Sequence, residues 1–426
     1  MSPSTKTLAR KIISAGVRAA AFLIASATVV GAEPALQSHC NDAAPAPVAK
    51  VDLPGRPFSI VPTADGCWIF VSLTSDDPKS NGVAVLRRSG GTITFSRLYP
   101  ITRRPDPSRP LRPGPAGLVM THDARVLIAA NDDEVLFLDV PTLVAGKANP
   151  VIGRMSDGNG AGSFYVNVTK GDSSLFVADE FGQAITVIDL VKARHTHYDS
   201  SAIVGKIPVG IASISLTLSP DERWLYTTSE VAPKSWNWPI ACPPDRADRA
   251  RFSSPEIPEG AIIVIDVKRA FADPVNAVIA RVPAGCAPVR MTRSHDGSSL
   301  WVSVRRSDSV LAFDAWKLIA DPGHARIASV PVGTAPVGIM ALPDGKRLVV
   351  ANSNRIAANP NDSQTVSIID MQKALTGAPA VAGSIPAGAF PREFGLSPDG
   401  NTLFLGNYLS QTLQIINLDT LSAMKN

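Results

Sequence analysis

Apolar and polar positions repeat in one pattern throughout the chain. An alternating apolar strand leads into a tight turn that contains Asp, a second apolar strand follows, and a third strand then ends, in most copies, in Asp. The clearest copy reads GIMALPDGKRLVVAN at 338–352 with TVSIID at 365–370. The pattern occurs seven times, with turn aspartates at Asp65, Asp123, Asp172, Asp221, Asp296, Asp344 and Asp399.

The spacing of these turns predicts a β-propeller. Neighbouring turn aspartates are 48 to 58 residues apart, except for one interval of 75, and a period of about 50 residues is typical of one four-stranded blade. Because repeats stack into one body, we expect an all-β, seven-bladed propeller over residues 48–426, with an insertion at 230–260 in blade four. The last repeat ends without an outer strand, so the VAKVDL segment at 48–53 is predicted to close the ring.

The first 32 residues have the features of a signal peptide. Four cations without any acidic partner accompany the apolar stretch AAAFLIASATVV, and Val30-Gly31-Ala32 fits a cleavage site. An uncleaved anchor is the alternative. Removing the leader lowers the formal net charge from +4 to zero, so nucleic-acid binding and general membrane attraction lose their support. We expect a periplasmic or secreted monomer with a tail at 33–47 and no transmembrane anchor after cleavage.

The four cysteines can form disulfides in an oxidising compartment. In a blade whose strands run A to D from the centre outward, the A–B and C–D turns lie on one face of the ring. The B–C loop and the D–A connection lie on the other. This rule puts Cys40 and Cys67 on one face and Cys242 and Cys286 on the other. It favours the pairs Cys40–Cys67 and Cys242–Cys286, while free thiols and other pairings stay open.

Aligning the turn aspartates also aligns the innermost strands. The residues six before each Asp are predicted to line the central channel, because side chains alternate along a strand: Ser59, Gly117, Val166, Ser215, Arg290, Gly338 and Glu393. Arg290 and Glu393 are the two charged members of this set. They predict either a salt bridge that plugs the channel or a paired anion-binding and acid/base site.

Polar side chains are expected at strand ends on the B–C/D–A face, which we take as the binding face. They are Asn131, Asp179, Glu180, Glu230, Asn352, Arg392 and Asn407. Their oxygens include the ligand types that Ca²⁺ prefers, although polar residues at strand ends more often cap the strands and stay solvated. No other cofactor is predicted.

The insertion in blade four carries two tryptophans beside the expected disulfide. Trp236 and Trp238 occupy alternate positions of one short segment. Long loops in compact domains are often functional, so the two rings are predicted either to stack on a ligand or partner or to form a local core for the loop.

The segment VGTAPVGIMALPDGKRLVVANS, followed by TVSIID, resembles the YVTN family of β-propeller repeats, which are related to lactonase-like propellers. The resemblance implies seven blades and an exported protein, and it leaves the activity open, because such propellers have many functions. Two functions fit the sequence. One is a binding or scaffold propeller for a partner or small ligand, and the other is a lactonase-like hydrolase with Arg290 and Glu393 as its catalytic pair.

Overall fold

A computed structural model describes Cys40 and residues 46–101, 114–238, 240–244, 256–355 and 364–421. The predicted signal peptide at 1–32 and all of the predicted tail except Cys40, Ala46 and Pro47 lie outside the described residues. No helix in the described ranges is long and apolar enough to cross a membrane.

Seven four-stranded antiparallel sheets form the blades of a propeller, which confirms the predicted fold class. In blades one to three, the strands follow one another in sequence order from the centre outward. Blade one contains β2 (Arg56–Pro62), β3 (Trp68–Thr74), β4 (Gly82–Ser89) and β5 (Thr92–Pro100). Blade two contains β6 (Leu118–Met120), β7 (Val126–Ala130), β8 (Glu134–Asp139) and β9 (Val151–Ser156). Blade three contains β10 (Ser163–Val168), β11 (Ser174–Asp179), β12 (Ala184–Asp189) and β13 (Ile203–Pro208).

Blade four is interrupted by an extra hairpin between its second and third strands. It contains β14 (Leu216–Leu218), β15 (Trp224–Ser229), β18 (Ala261–Asp266) and β19 (Val278–Pro283), and the hairpin is β16 (Ile240–Cys242) with β17 (Ile257–Pro258). Blade five contains β20 (Pro288–Arg293), β21 (Ser299–Val304), β22 (Ser309–Asp314) and β23 (Arg326–Pro331). Blade six contains β24 (Pro336–Ala341), β25 (Arg347–Asn352), β26 (Thr365–Asp370) and β27 (Val381–Pro386).

Blade seven joins the two ends of the described chain. It contains β28 (Pro391–Leu396), β29 (Thr402–Asn407) and β30 (Thr412–Asn417), and its outer strand is β1 (Val48–Asp52). β1 pairs with β30 in an antiparallel register from Val48 opposite Ile416 to Asp52 opposite Thr412. The N-terminal strand therefore closes the ring as predicted, and blade seven is not left with an open edge at β30.

The aspartates that end the third strands begin short helices. Asp139, for example, accepts a hydrogen bond from the Thr142 backbone N–H at 2.8 Å, which satisfies one of the free donors of the helix that follows. Equivalent aspartates cap three other helices in the same way. The helices are α1 (Val140–Ala145), α2 (Leu190–His195), α3 (Val267–Ala272), α4 (Lys317–Ala320), α5 (Met371–Leu375) and α6 (Leu418–Leu421).

The turn between the first two strands of most blades also contains a repeated Ser or Thr, two residues before the Asp. In blade two, the Thr121 hydroxyl donates to Asp123 Oδ1 at 2.6 Å, and its oxygen accepts from the Val126 N–H at 3.0 Å. Blades one, four, five and seven have the same Ser/Thr-to-Asp bond. The hydroxyl bond is the main cause that lowers the pKa of Asp221 and of Asp296.

Most of the core lies between neighbouring blades rather than inside one. Each cluster combines apolar residues from adjacent sheets, such as Phe70 of blade one with Leu127 and Leu136 of blade two, and all three are fully buried. The two disulfides join Cys40 to Cys67 and Cys242 to Cys286, the pairs expected from the faces of the ring, with Cα atoms 5.0 and 5.4 Å apart.

Candidate functional site

An apolar ring closes the central channel. Seven side chains, one from each blade, pack together in one buried cluster that we call the hub ring: Phe58, Ala116, Phe164, Ile214, Val289, Val337 and Phe390. They lie within two residues of the start of each innermost strand, which is the end next to the D–A connections. The hub ring therefore closes the channel on the B–C/D–A face. The aspartate alignment did not reveal it.

Arg290 and Glu393 meet next to the hub ring. Arg290 Nε donates to Glu393 Oε2 at 2.8 Å, and Arg290 Nη1 donates to the Ile214 carbonyl at 2.5 Å. The guanidinium also lies 4.8 Å from the centroid of the Tyr165 ring. The two charged side chains are 3% and 9% exposed. They form a buried ion pair, which was one of the two predicted arrangements. The Glu393 carboxylate is bound by the Arg290 guanidinium.

The channel lining differs from the prediction in blade three. Val166 was expected to face the channel, but it packs into the core between blades two and three. Tyr165 takes the channel position instead, and burial, followed by the nearby Glu393 carboxylate, raises the pKa of its hydroxyl. The reason is a turn in which Asp172 occupies a position one residue later than the other turn aspartates. Its N–H donates to Thr169 O at 2.9 Å, as Ala124 N–H does to Thr121 O in blade two.

Arg392 lies on the aromatic side chains of the same region. Its guanidinium carbon is 4.1 Å from the Phe58 ring centroid, 5.2 Å from that of Tyr408 and 5.3 Å from that of Phe390. We call these four residues the arginine cradle. Among the described residues, Arg392 forms no hydrogen bond or ion pair, and its Nε is buried without an acceptor.

The pKa of Arg392 is lowered to about 9, first by burial and then by the neighbouring cations Arg290 and Arg355. The guanidinium is therefore still charged at neutral pH. Arg355 lies 5.6 Å from the Phe390 ring centroid, so a second cation borders the cradle. The Thr74 hydroxyl donates to the Tyr408 hydroxyl at 3.1 Å and fixes the edge of that ring.

Two of the predicted carboxylates of the B–C/D–A face bond to protein side chains. Glu230 receives two hydrogen bonds of 2.9 Å from Arg305, and Asp179 receives bonds of 2.7 Å from Lys206 and from Thr186. The Glu180 backbone N–H donates to the Gly162 carbonyl. No three His, Cys, Asp or Glu side chains within the described ranges are grouped to hold a metal ion. The calcium site stays a prediction.

The predicted asparagines at strand ends hold the blades together. Asn352 Nδ2 donates to Thr365 and to Ser367 at 3.0 and 2.9 Å. Asn407 accepts from the Gly388 N–H at 3.1 Å and donates to two side chains of its own blade. Asn131 donates to Glu134, which also binds Arg154. These contacts cap strand ends, as one of the two expected roles requires, but the three side chains are buried and not solvated as expected.

The two tryptophans pack away from the hub ring. Their ring centroids are 5.2 Å apart, and both lie against the core between blades three and four. The guanidinium carbon of Arg281 lies over the Trp236 ring, 5.1 Å from its centroid. This packing matches the local-core interpretation of the pair, and it places them in a different cluster from Arg290, Glu393 and Arg392.

Comparison with solved structures shows the same fold. A Kuenenia stuttgartiensis hydrazine synthase chain superimposes with a TM-score of 0.61 at 18% identity, covering 87% of this chain and 97% of that chain. A Bacteroides fragilis protein provisionally assigned as a 6-phosphogluconolactonase superimposes with a TM-score of 0.59 at 15% identity, covering 84% and 93%. No protein-family model and no curated protein matches the sequence. At these identities, the similarity establishes a β-propeller and no activity.

Proposed function

We propose that this protein is an exported, non-catalytic binding propeller that takes an anionic group of a small ligand in the arginine cradle. The observation that carries this proposal is Arg392, a charged guanidinium on three aromatic rings without an acidic partner among the described residues. The first 32 residues and the two disulfides support export. The repeat resembles the YVTN type, and we infer that origin for it.

The energetics of Arg392 favour an anion. Removing a guanidinium from water is costly unless a charge or hydrogen bonds compensate for the loss. The described residues supply ring faces and the charge of the neighbouring Glu393, which is bonded to Arg290. Ring faces attract a cation more weakly than a carboxylate in direct contact does. A bound carboxylate or phosphate would accept from the terminal nitrogens of Arg392, which are not among the buried unpaired atoms, and complete the site. The ring faces of Phe58 and Tyr408 would contact an apolar body of the same ligand.

A lactonase-like hydrolase on the same face is the second candidate. The Bacteroides fragilis neighbour is the observation that favours it. A hydrolase of this kind would need Glu393 as base and Arg290 as oxyanion donor to touch the substrate. In the structure these two groups bond to each other and are nearly inaccessible, so we rank binding first.

The test is titration calorimetry of the mature protein with inorganic phosphate and with benzoate. We expect Arg392→Gln to weaken binding by roughly tenfold or more, because a charge-assisted hydrogen bond is lost. Arg223→Gln is the matched control, since Arg223 also stacks on a ring, that of Trp224 at 5.3 Å, beside an A–B turn. Unchanged binding by Arg392→Gln, or no binding to the wild type, contradicts the proposal.

A turnover assay with a sugar δ-lactone separates the two candidates. We expect no hydrolysis above the buffer rate. Hydrolysis by the wild type that is lost in Glu393→Gln would establish the hydrolase instead.

A further inference from the structure

Two carboxyl groups and one amine meet on blade three, away from the arginine cradle. Asp157 lies in the connection before β10, Asp179 ends β11, and Lys206 lies on β13. Lys206 Nζ is 2.7 Å from Asp179 Oδ2. Asp157 Oδ2 accepts from the Ser163 hydroxyl at 2.5 Å. Both aspartates are buried, with Asp179 completely inaccessible to solvent.

The two carboxyl groups lie close together. The Ser163 hydroxyl donates to Asp157, and Ser163 pairs directly with Asp179 between β10 and β11, so two neighbouring buried carboxyl groups disfavour a charge on both. Each also has a buried Oδ1 that no N–H or hydroxyl of the described residues contacts. Burial, followed by the charge of Asp179, raises the pKa of Asp157 to about 8. At neutral pH the set therefore contains an ammonium, a carboxylate and a carboxylic acid.

We propose that Lys206 Nζ and Asp179 Cγ join in an intramolecular amide bond that forms without an external enzyme, with Asp157 as the proton donor and acceptor. The ammonium first passes a proton to Asp179 Oδ2, which leaves a neutral amine and two neutral carboxylic acids. Nζ then bonds to Cγ, the Cγ–Oδ2 bond breaks, and Oδ2, which already holds the proton from the ammonium, leaves as water with a second proton from Asp157, while Oδ1 becomes the amide oxygen. Asp157 takes one proton from Nζ, so that ammonium and carboxylate become amide and water.

The surroundings favour each part of this reaction. The initial proton transfer keeps the number of bound protons and the net charge unchanged. Asp179 is fully buried, although the Lys206 side chain is 39% exposed, and burial favours the neutral form of that carboxyl group. A neutral lysine amine is the nucleophilic form. The strand register fixes its position, since Lys206 pairs directly with Thr186, whose hydroxyl donates to Asp179 at 2.7 Å. Holding amine and carboxyl in contact replaces an encounter in solution.

The chain also approaches one side of the amine. A Cβ built on Gly158 would lie 4.0 Å from Lys206 Nζ, so the connection that carries Asp157 passes beside the reacting atoms, while the Lys206 side chain is 39% exposed. The resulting bond would join β11 to β13 across β12, and it would hold strands of blade three with a link that reducing agents do not cleave.

The experiment is the intact mass of the mature, purified protein under non-reducing and reducing conditions. We expect a mass one water below that of the sequence with its two disulfides, and the same deficit after reduction. Tryptic digestion should give one branched peptide that contains both Lys206 and Asp179, with no cleavage after Lys206. A full sequence mass with two separate peptides overturns the proposal.

Two variants test the chemistry. Lys206→Arg keeps a cation beside Asp179 and cannot form the bond, so it should show the full mass. Asp157→Asn keeps the shape of the side chain and removes the acid, so we expect at least a tenfold loss of cross-linked protein. Complete cross-linking in Asp157→Asn would overturn the role of Asp157. Circular dichroism on both variants checks that the full mass does not come from unfolded protein.

Discussion

The Arg290–Glu393 pair shows how one charged contact can hold the centre of a propeller. Both groups lie at the point where all seven blades meet, and each satisfies part of the other's hydrogen-bonding capacity. A buried ion pair adds little net stability compared with apolar side chains of similar size, but a single member left alone is costly. The pair is therefore expected to matter more when it is broken than when it is replaced.

Replacing either residue alone should destabilise the fold. We expect Arg290→Ala and Glu393→Ala each to lower the free energy of unfolding by about 3 to 5 kcal/mol, because the remaining charge is buried without its partner. The double variant Arg290→Met with Glu393→Leu should recover much of that loss. Chemical denaturation measures all three. Single variants with wild-type stability would show that the channel admits water to the pair.

Asp157 should make stability depend on pH. Its pKa is about 8 in the folded protein and 3.8 in the unfolded chain. Between these values the folded state binds more protons, so its stability falls as the pH rises. The Lys206→Arg background removes any effect of cross-linking. There we expect the free energy of unfolding to fall by on the order of a few kcal/mol from pH 4 to pH 8.

Adding Asp157→Asn to that background supplies the control. The amide does not titrate, so the double variant should show a flatter dependence over the same range in urea titrations at each pH. Equal slopes in the two proteins would mean that Asp157 is not the group responsible.

At the same scale, Val166 shows why the site was only partly predictable. Counting back from each turn aspartate identified Arg290 and Glu393 correctly as channel residues. It failed in blade three because Asp172 lies three residues after Thr169, which begins the turn. In the other blades the Asp lies two residues after the residue that begins the turn. Counting four residues back from the Ser, Thr or Leu that begins each turn gives Tyr165 and leaves the other six positions unchanged. The hydroxyl is the better marker because it bonds both the aspartate and the next strand.

At the scale of elements, the repeat predicted strands more fully than connections. Alternation of apolar residues marks each strand, because the two faces of each sheet pack against the two neighbouring blades. The Asp at the end of the third strand was visible in the sequence, but its function as a helix cap was not recognised. The sequence placed Arg392 on the binding face but did not reveal the arginine cradle. The cradle combines Phe58 of blade one with residues of blade seven, which come together only because the ring closes.

At the scale of the whole molecule, closure depends on a short strand far away in sequence. β1 forms the outer edge of blade seven, and Ala49 and Val51 pack against the cluster shared by blades seven and one. The Cys40–Cys67 bridge connects the chain just before β1 to blade one. Strand and bridge thus fix the same junction, which is also the junction that brings Phe58 to Arg392.

Deleting residues 40–53 in a Cys67→Ser background should open this junction. β30 would then expose unpaired backbone groups along an edge, which favours pairing with another molecule. We expect a lower melting temperature and self-association that increases with protein concentration, measured by calorimetry and light scattering. The control is Cys40→Ser with Cys67→Ser, which keeps β1 and loses only the bridge. It should stay monomeric and lose about 3 to 4 kcal/mol of stability. A deletion variant that remains monomeric and as stable as this control would show that β1 is dispensable for closing the ring.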